Sequence, residues 1–421
     1  MSEAPTEQPA PAARPRIVDP RWVVLAGGFL ILFAGGGRLA IFGLVLKPMS
    51  EDLDISRGTL SLVVTISTVV AAPSLLVTGR LLDRYSLRLV MLVATLVSGL
   101  SLVLLGFVQT PWQLFLLYGV AFPLANPGTA LLPVQVMISR WFQRGHGMAN
   151  AVAQSGSSLG QLVLIGLIAT FLDDLGWRAA FTAAGLVFLL TVVPLVVTMV
   201  PAARTPRITG GSAASVEAAA VEAPVTLRSF ATNRSLWALT AVYVICGFHD
   251  TFVTTHLVAF ATDQGVSQSA AGQLLAVMGV LAMTGVLAAG AIAHRIGASA
   301  ATMLCFLLRV VIFGMVIATQ SEVAVYLFGL MFAFTLPITA PLVSVFARDL
   351  FGYRHLGTIS SFILMVHQVG GGLGALAGGV IFDIAGSYEV AFMLMGALAA
   401  VAAGATLILM RQSRPEPVAV A

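Results

Sequence analysis

The sequence predicts an all-α membrane protein, with twelve transmembrane helices in two pseudo-symmetric six-helix bundles. Three observations predict it: an apolar composition, a series of apolar runs of bilayer length, and an internal repeat. Of the 421 residues, 58% are hydrophobic and 10% charged, and mean hydropathy is +0.97. A soluble domain averages about 25% charged residues, so a water-soluble enzyme, a nucleic-acid binder and a disordered scaffold are all excluded. The net charge of +4 does not call for an anionic macromolecule, because the charges fall mainly between the apolar runs. Cys246 and Cys305 both lie inside apolar runs, which gives neither a disulfide framework nor a zinc spacing.

Residues 1–20 are rich in Ala, Pro and Glu and read as a disordered tail, not a signal peptide. Twelve runs follow, each about long enough to cross a hydrocarbon core roughly 30 Å thick. They are 22–46, 60–78, 89–108, 112–138, 148–172, 179–200, 236–262, 271–293, 300–319, 323–346, 358–382 and 390–410, numbered here as spans 1 to 12. A polar, Ala-rich linker at 201–234 separates a first bundle (21–200) from a second (235–411), and 412–421 is a tail. Seventeen of the 22 Lys and Arg residues fall on the side that holds both termini, against Lys47, Arg57 and Arg178 opposite. The positive-inside rule therefore predicts cytoplasmic termini, in a bacterial inner membrane.

The repeat relates the two bundles. Gly79-x3-Asp83-Arg84 recurs as Gly290-x3-His294-Arg295, 211 residues later. Gly119-x7-Pro127-x-Thr129-Ala130 in span 4 recurs as Gly329-x7-Pro337-x-Thr339-Ala340 in span 10, at an offset of 210. Gln154-x-Gly156-x2-Leu159-Gly160 in span 5 recurs as Gln368-x-Gly370-x2-Leu373-Gly374 in span 11, at an offset of 214. Two halves related by an axis along the membrane normal are the expected arrangement. Pro127 and Pro337, at matched positions, are expected to bend spans 4 and 10.

This 6 + 6 pattern, with its long central loop, resembles the major facilitator superfamily. The loop from Gly79 to Arg88 is similar to that superfamily's G-x-L-x-D-R-x-G-R-R signature, departing from it at Ser86 and Leu87. The resemblance implies that Gly79, Asp83, Arg84 and Arg88 latch the halves together in one conformational state. Phe42–Pro48, His256–Phe260 and Gly379–Tyr388 resemble the monocarboxylate-transporter-like branch. Ala40 stands where animal members carry a lysine in span 1, and Met283–Val286 stands where members carry a substrate-binding arginine in span 8.

A charge within a span costs at least ~2.5–3.5 kcal/mol on insertion scales, so each such residue is a functional candidate. Arg38 offers a planar fork suited to a carboxylate; the alternative is a structural ion pair. Asp250, in span 7, is a candidate proton-coupling group paired with a cation such as Arg38, or one half of a permanent pair. The 211 offset sets His249 opposite Arg38. His249 and His367 are candidate substrate contacts and His256 a candidate proton carrier, each with a neutral hydrogen-bonding role as the alternative. Arg309, in span 9, reads as a structural charge paired with a carbonyl or carboxylate. Tyr118, Asn126, Gln154 and Gln368 could line a cavity or bond helix to helix.

The expected function is secondary active transport of a small organic anion, such as a monocarboxylate, coupled to protons. No enzyme chemistry, metal or cofactor is expected. The expected partners are the substrate, protons and the bilayer, with a monomer as the working unit and no nucleic acid. The alternatives are an exporter of drugs or other amphiphiles, or a carrier of a larger metabolite such as a vitamin. Span 5 lacks the proline of the exporters' Gly-Pro-x2-Gly-Gly run, which weighs against the exporter.

Overall fold

The computed structural model describes residues 20–142, 146–200, 233–319, 321–351 and 356–412. The expected tails and most of the linker lie outside the described residues, as does Arg144. Among the described residues the chain is helical and contains no strand. Span 1 is two helices, α1 (Pro20–Gly35) and α2 (Ala40–Leu53), joined by turns at 36–39 in which Gly37 has φ +81°. Then come α3 (Arg57–Arg84) and α4 (Leu87–Leu105). Span 4 is a broken path of α5 (Pro111–Leu114), a π segment (Phe115–Ala121), α6 (Phe122–Ala125), a 3-10 turn (Asn126–Thr129) and α7 (Leu131–Trp141).

The second half comprises α9 (Arg234–Asp263), α10 (Gln268–Ile296), α11 (Ala298–Ala318), α12 (Glu322–Thr335), α13 (Leu342–Phe351), α14 (Leu356–Ala385) and α15 (Glu389–Gln412). The first half closes with α8 (His146–Met199). Helix starts carry side-chain caps: Ser56, Ser86, Asn233, Ser267 and Ser321 each accept a backbone N–H three residues on. Spans 4 and 10 both break at their matched prolines, because proline removes a helix N–H and clashes with the preceding turn.

Ten described helical stretches are long and apolar enough to cross a membrane. One of them, 52 residues long, doubles back at Gly176, whose φ of +74° is not helical. Its first arm brings Gly156 against Phe29, and its second returns Met199 to Gly27, so both arms pass along α1. Span 10 is divided between the shorter α12 and α13.

The repeated glycines of spans 5 and 11 make equivalent contacts in each half. A Cβ at Gly156 or Gly160 would strike the carbonyls of Phe29 or Phe33; one at Gly370 or Gly374 would strike those of Val244 or Phe248. Small residues four apart let backbones approach this closely. The contacts fix the register of α1 against α9 at an offset of 215, not 211. Ala34, not Arg38, is therefore the counterpart of His249, and Val253 is the counterpart of Arg38.

The halves meet through α3 with α14, α8 with α10, and α2 with α9. At one end Arg57 and Lys47 both pair with Asp263, at 2.5 and 2.8 Å. There Asp383, near the end of α14, accepts the backbone N–H groups of Arg57 and Gly58 at 3.1 and 2.8 Å. An acid of the second half thus caps the first turn of a helix in the first. Arg57 also lies 3.7 Å over the Phe382 ring. Deeper in, Thr65 donates to the Gly372 carbonyl and Gln161 to that of Leu275. At the opposite end of α3, Asp83 and Arg84 are exposed, and Gly79 has open space around it.

Candidate functional site

The breaks in spans 1, 4 and 10 converge on a cavity of about 440 Å³. Arg38, Asn126, Gln154, Asp250 and His367 line it, with Gln161, Thr251, Thr254 and Leu336. A smaller chamber of about 210 Å³ adjoins it; Leu39, Asn126, Thr251 and Thr254 line both. Tyr118 and Gln368 line the smaller one.

Arg38 projects from the unwound stretch of span 1. Its Nε donates to the Gly35 carbonyl at 3.0 Å and its Nη2 to Thr129 Oγ1 at 3.3 Å. The guanidinium lies 3.7 Å over the ring of Phe188. Arg38 is 3% exposed, its Nη1 has no partner, and no carboxylate pairs with it among the described residues.

The expected Arg38–Asp250 pair is absent. Asp250 Oδ1 instead accepts from Arg309 Nη2 at 2.8 Å. Arg309 is fully buried and pinned at the break in span 10, donating to Thr335 Oγ1 at 3.2 Å and the Thr335 carbonyl at 3.1 Å. Phe332 stacks beneath its guanidinium at 4.7 Å. The other carboxylate oxygen of Asp250 lies 3.4 Å from His367 Nε2 and 3.5 Å from Cys246 Sγ. Cys246, Asp250 and His367 bring ligand-type atoms within 4.8 Å of one another. A cation there would compete with Arg309 for the same carboxylate, and Cys246 already sits 3.0 Å from Thr339 Oγ1. The Asp250–Arg309 pair balances its own charge, whereas that of Arg38 is left over.

The model of the Major Facilitator Superfamily matches residues 27–375 and 287–421. The chain belongs to the major facilitator superfamily. Its relatives within the superfamily include the MFS-type transporter YcxA of Bacillus subtilis, 23% identical over 87% of this chain and 90% of that protein. Human monocarboxylate transporter 11 is 26% identical over 90% of this chain and 80% of its own length. Among solved structures, nucleoside transporter NupG superposes with a TM-score of 0.77 at 13% identity, covering 94% of this chain and all of that one. The D-xylose-proton symporter reaches 0.68 at 15% identity, covering 94% and 97%. The chain is a multi-pass membrane protein of a transporter family and not an enzyme.

Two histidines of this superfamily member lie away from the cavity. His249 is fully buried against the rings of Phe306 and Phe313. These rings belong to α11, so His249 faces that helix and not the cavity. His256 is bonded to the Ala375 carbonyl at 2.8 Å and the Tyr388 hydroxyl at 3.1 Å, with Ser61 Oγ at 3.4 Å. It sits beside Tyr388, which also bonds Arg57, and lines neither chamber. Tyr118 Oη donates to the Leu39 carbonyl at 3.3 Å. Of the expected latch, Arg88 donates to the Val200 carbonyl at 2.7 Å and ties α4 to the end of α8. Sequence reasoning missed Asp383, although the stretch that carries it was singled out; its partner is a backbone, which has no residue signature. It also missed Thr129, Gln161, Thr251 and Thr254, whose residue types are common as helix-to-helix bonds.

Proposed function

We propose that this protein is a secondary active, alternating-access carrier of a small organic anion, coupled to protons, in a bacterial inner membrane with both termini cytoplasmic. The observation that carries the reading is Arg38: a buried guanidinium on a cavity wall, with one donor free and no acid to balance it among the described residues. A carboxylate supplies the missing charge and accepts from Nη1. The monocarboxylate relatives support the substrate class. The charge count of the loops supports the orientation, with the Arg57 end outward, and the bonds at that end then describe a carrier closed to the outside.

The proton is carried by the Asp250–His367 couple. Arg309 is too firmly held to leave Asp250, so protonation at His367 is the step that changes the cavity's charge. A protonated His367 adds a second cation for the anion to meet, which links proton and substrate. Arg38→Lys keeps the charge and loses the fork, and is expected to weaken carboxylate binding by about 1.5–3 kcal/mol. Arg38→Ala binding carboxylates as the wild type does would overturn the anion site. For coupling, His367→Gln in proteoliposomes is expected to keep exchange and lose accumulation driven by an inward proton gradient. Undiminished accumulation rules His367 out.

A further inference from the structure

We infer that the smaller chamber receives the uncharged body of the substrate and selects among carboxylates by that body. The inference rests on the anion reading above and goes past it to substrate shape. The two chambers share a border at Asn126 and Thr254, so one molecule can occupy both. Their walls differ. The larger holds Arg38, Asp250 and His367, whereas no Asp, Glu, Lys, Arg or His lines the smaller one among the described residues. A charged group entering it would lose its hydration and meet hydroxyls and amides but no opposite charge, so what enters is neutral.

The wall is partly aromatic. The Phe42 and Tyr118 rings lie 4.5 Å apart, and Tyr118 stacks on Phe122 at 5.4 Å. The Tyr118 hydroxyl is spent on Leu39, so Tyr118 presents a face and not a donor. The rest of the wall is largely polar but uncharged, with Gln368, Asn126 and the hydroxyls of Ser67, Thr68, Thr251 and Thr254 along it. The chamber also has an outer limit: Gly43 packs so tightly on the Thr254 carbonyl that a Cβ there would collide. Liquid water occupies about 30 Å³ per molecule, so 210 Å³ holds about seven water-sized groups. A two- or three-carbon acid leaves most of this space unused. The substrate class this geometry fits is a carboxylate bearing a ring or a branched body, with no second charge at its far end.

Ala71 lines only the smaller chamber, so enlarging it fills that space without touching Arg38. The probes are acetate and phenylacetate, binding to purified protein and measured by competition and by thermal shift. Wild type is expected to prefer phenylacetate at least tenfold. Ala71→Leu should abolish that preference while acetate binding stays within twofold, and the milder Ala71→Val should fall between. Arg38→Ala should lose both acids. If wild type binds the two acids equally, or if both Ala71 variants weaken them in parallel while remaining folded, the selecting role is refuted but the anion site stands. If neither acid binds wild type, the anion reading fails and this inference falls with it.

Discussion

Two buried arginines in one molecule have opposite electrostatic circumstances, and their removal should have opposite effects. Arg309 holds Asp250 at 2.8 Å with its side chain fully buried. Breaking a buried pair from one side costs about 3–5 kcal/mol, because the orphaned charge stays behind. Arg309→Met is therefore expected to lower the melting temperature sharply, and adding Asp250→Asn should restore much of it. Arg38 has no acid to orphan and one buried donor already unpaired. Arg38→Met is expected to leave the empty protein's melting temperature unchanged or raise it, while removing the stabilisation that a carboxylate ligand gives. A thermal-unfolding series of the three variants, with and without ligand, checks both signs. The sequence made Arg38, Asp250 and His367 visible as polar residues in apolar runs. It did not pair them correctly, because partner choice depends on depth along the helix as well as on its face, and a four-residue error in repeat register moves a residue about 6 Å along the axis while turning it only about 40°.

Between elements, α3 and α14 are joined by a bond that no side-chain pattern announces. The Asp383 carboxylate caps the first two N–H groups of α3 across the boundary between the halves. A helix N-terminus carries a partial positive charge, and a good cap contributes about 1 kcal/mol. Asp383→Asn should therefore weaken closure at the Arg57 end by about that amount, roughly fivefold in the open-to-closed ratio. Labelling of a cysteine placed at Thr254 by an impermeant reagent added from the Arg57 side measures it, and an unchanged rate would show the cap to be irrelevant to closure. The glycine seams lie at the same scale. Their motif was legible in the sequence, and the contacts that explain it, Gly156 and Gly160 on α1 and Gly370 and Gly374 on α9, are equivalent in both halves.

For the whole molecule, spans of bilayer length and the repeat made the fold class legible, since both follow from the thickness of the hydrocarbon core and from duplication. The cavity was legible only as a set of candidates. Its outline depends on where spans 1, 4 and 10 unwind, and only the prolines of spans 4 and 10 signalled that. The seams bear on how such a protein is made. Each closes within its own half, so the seam of the first half needs no residue beyond Gly160 and none of the second half. Two polypeptides ending at Val200 and starting at Asn233, made together in one cell, are expected to assemble into a carrier with the ligand-dependent thermal shift of the intact chain. Failure of the separate pieces to co-purify would mean that covalent continuity, and not the fit between finished halves, brings this molecule together.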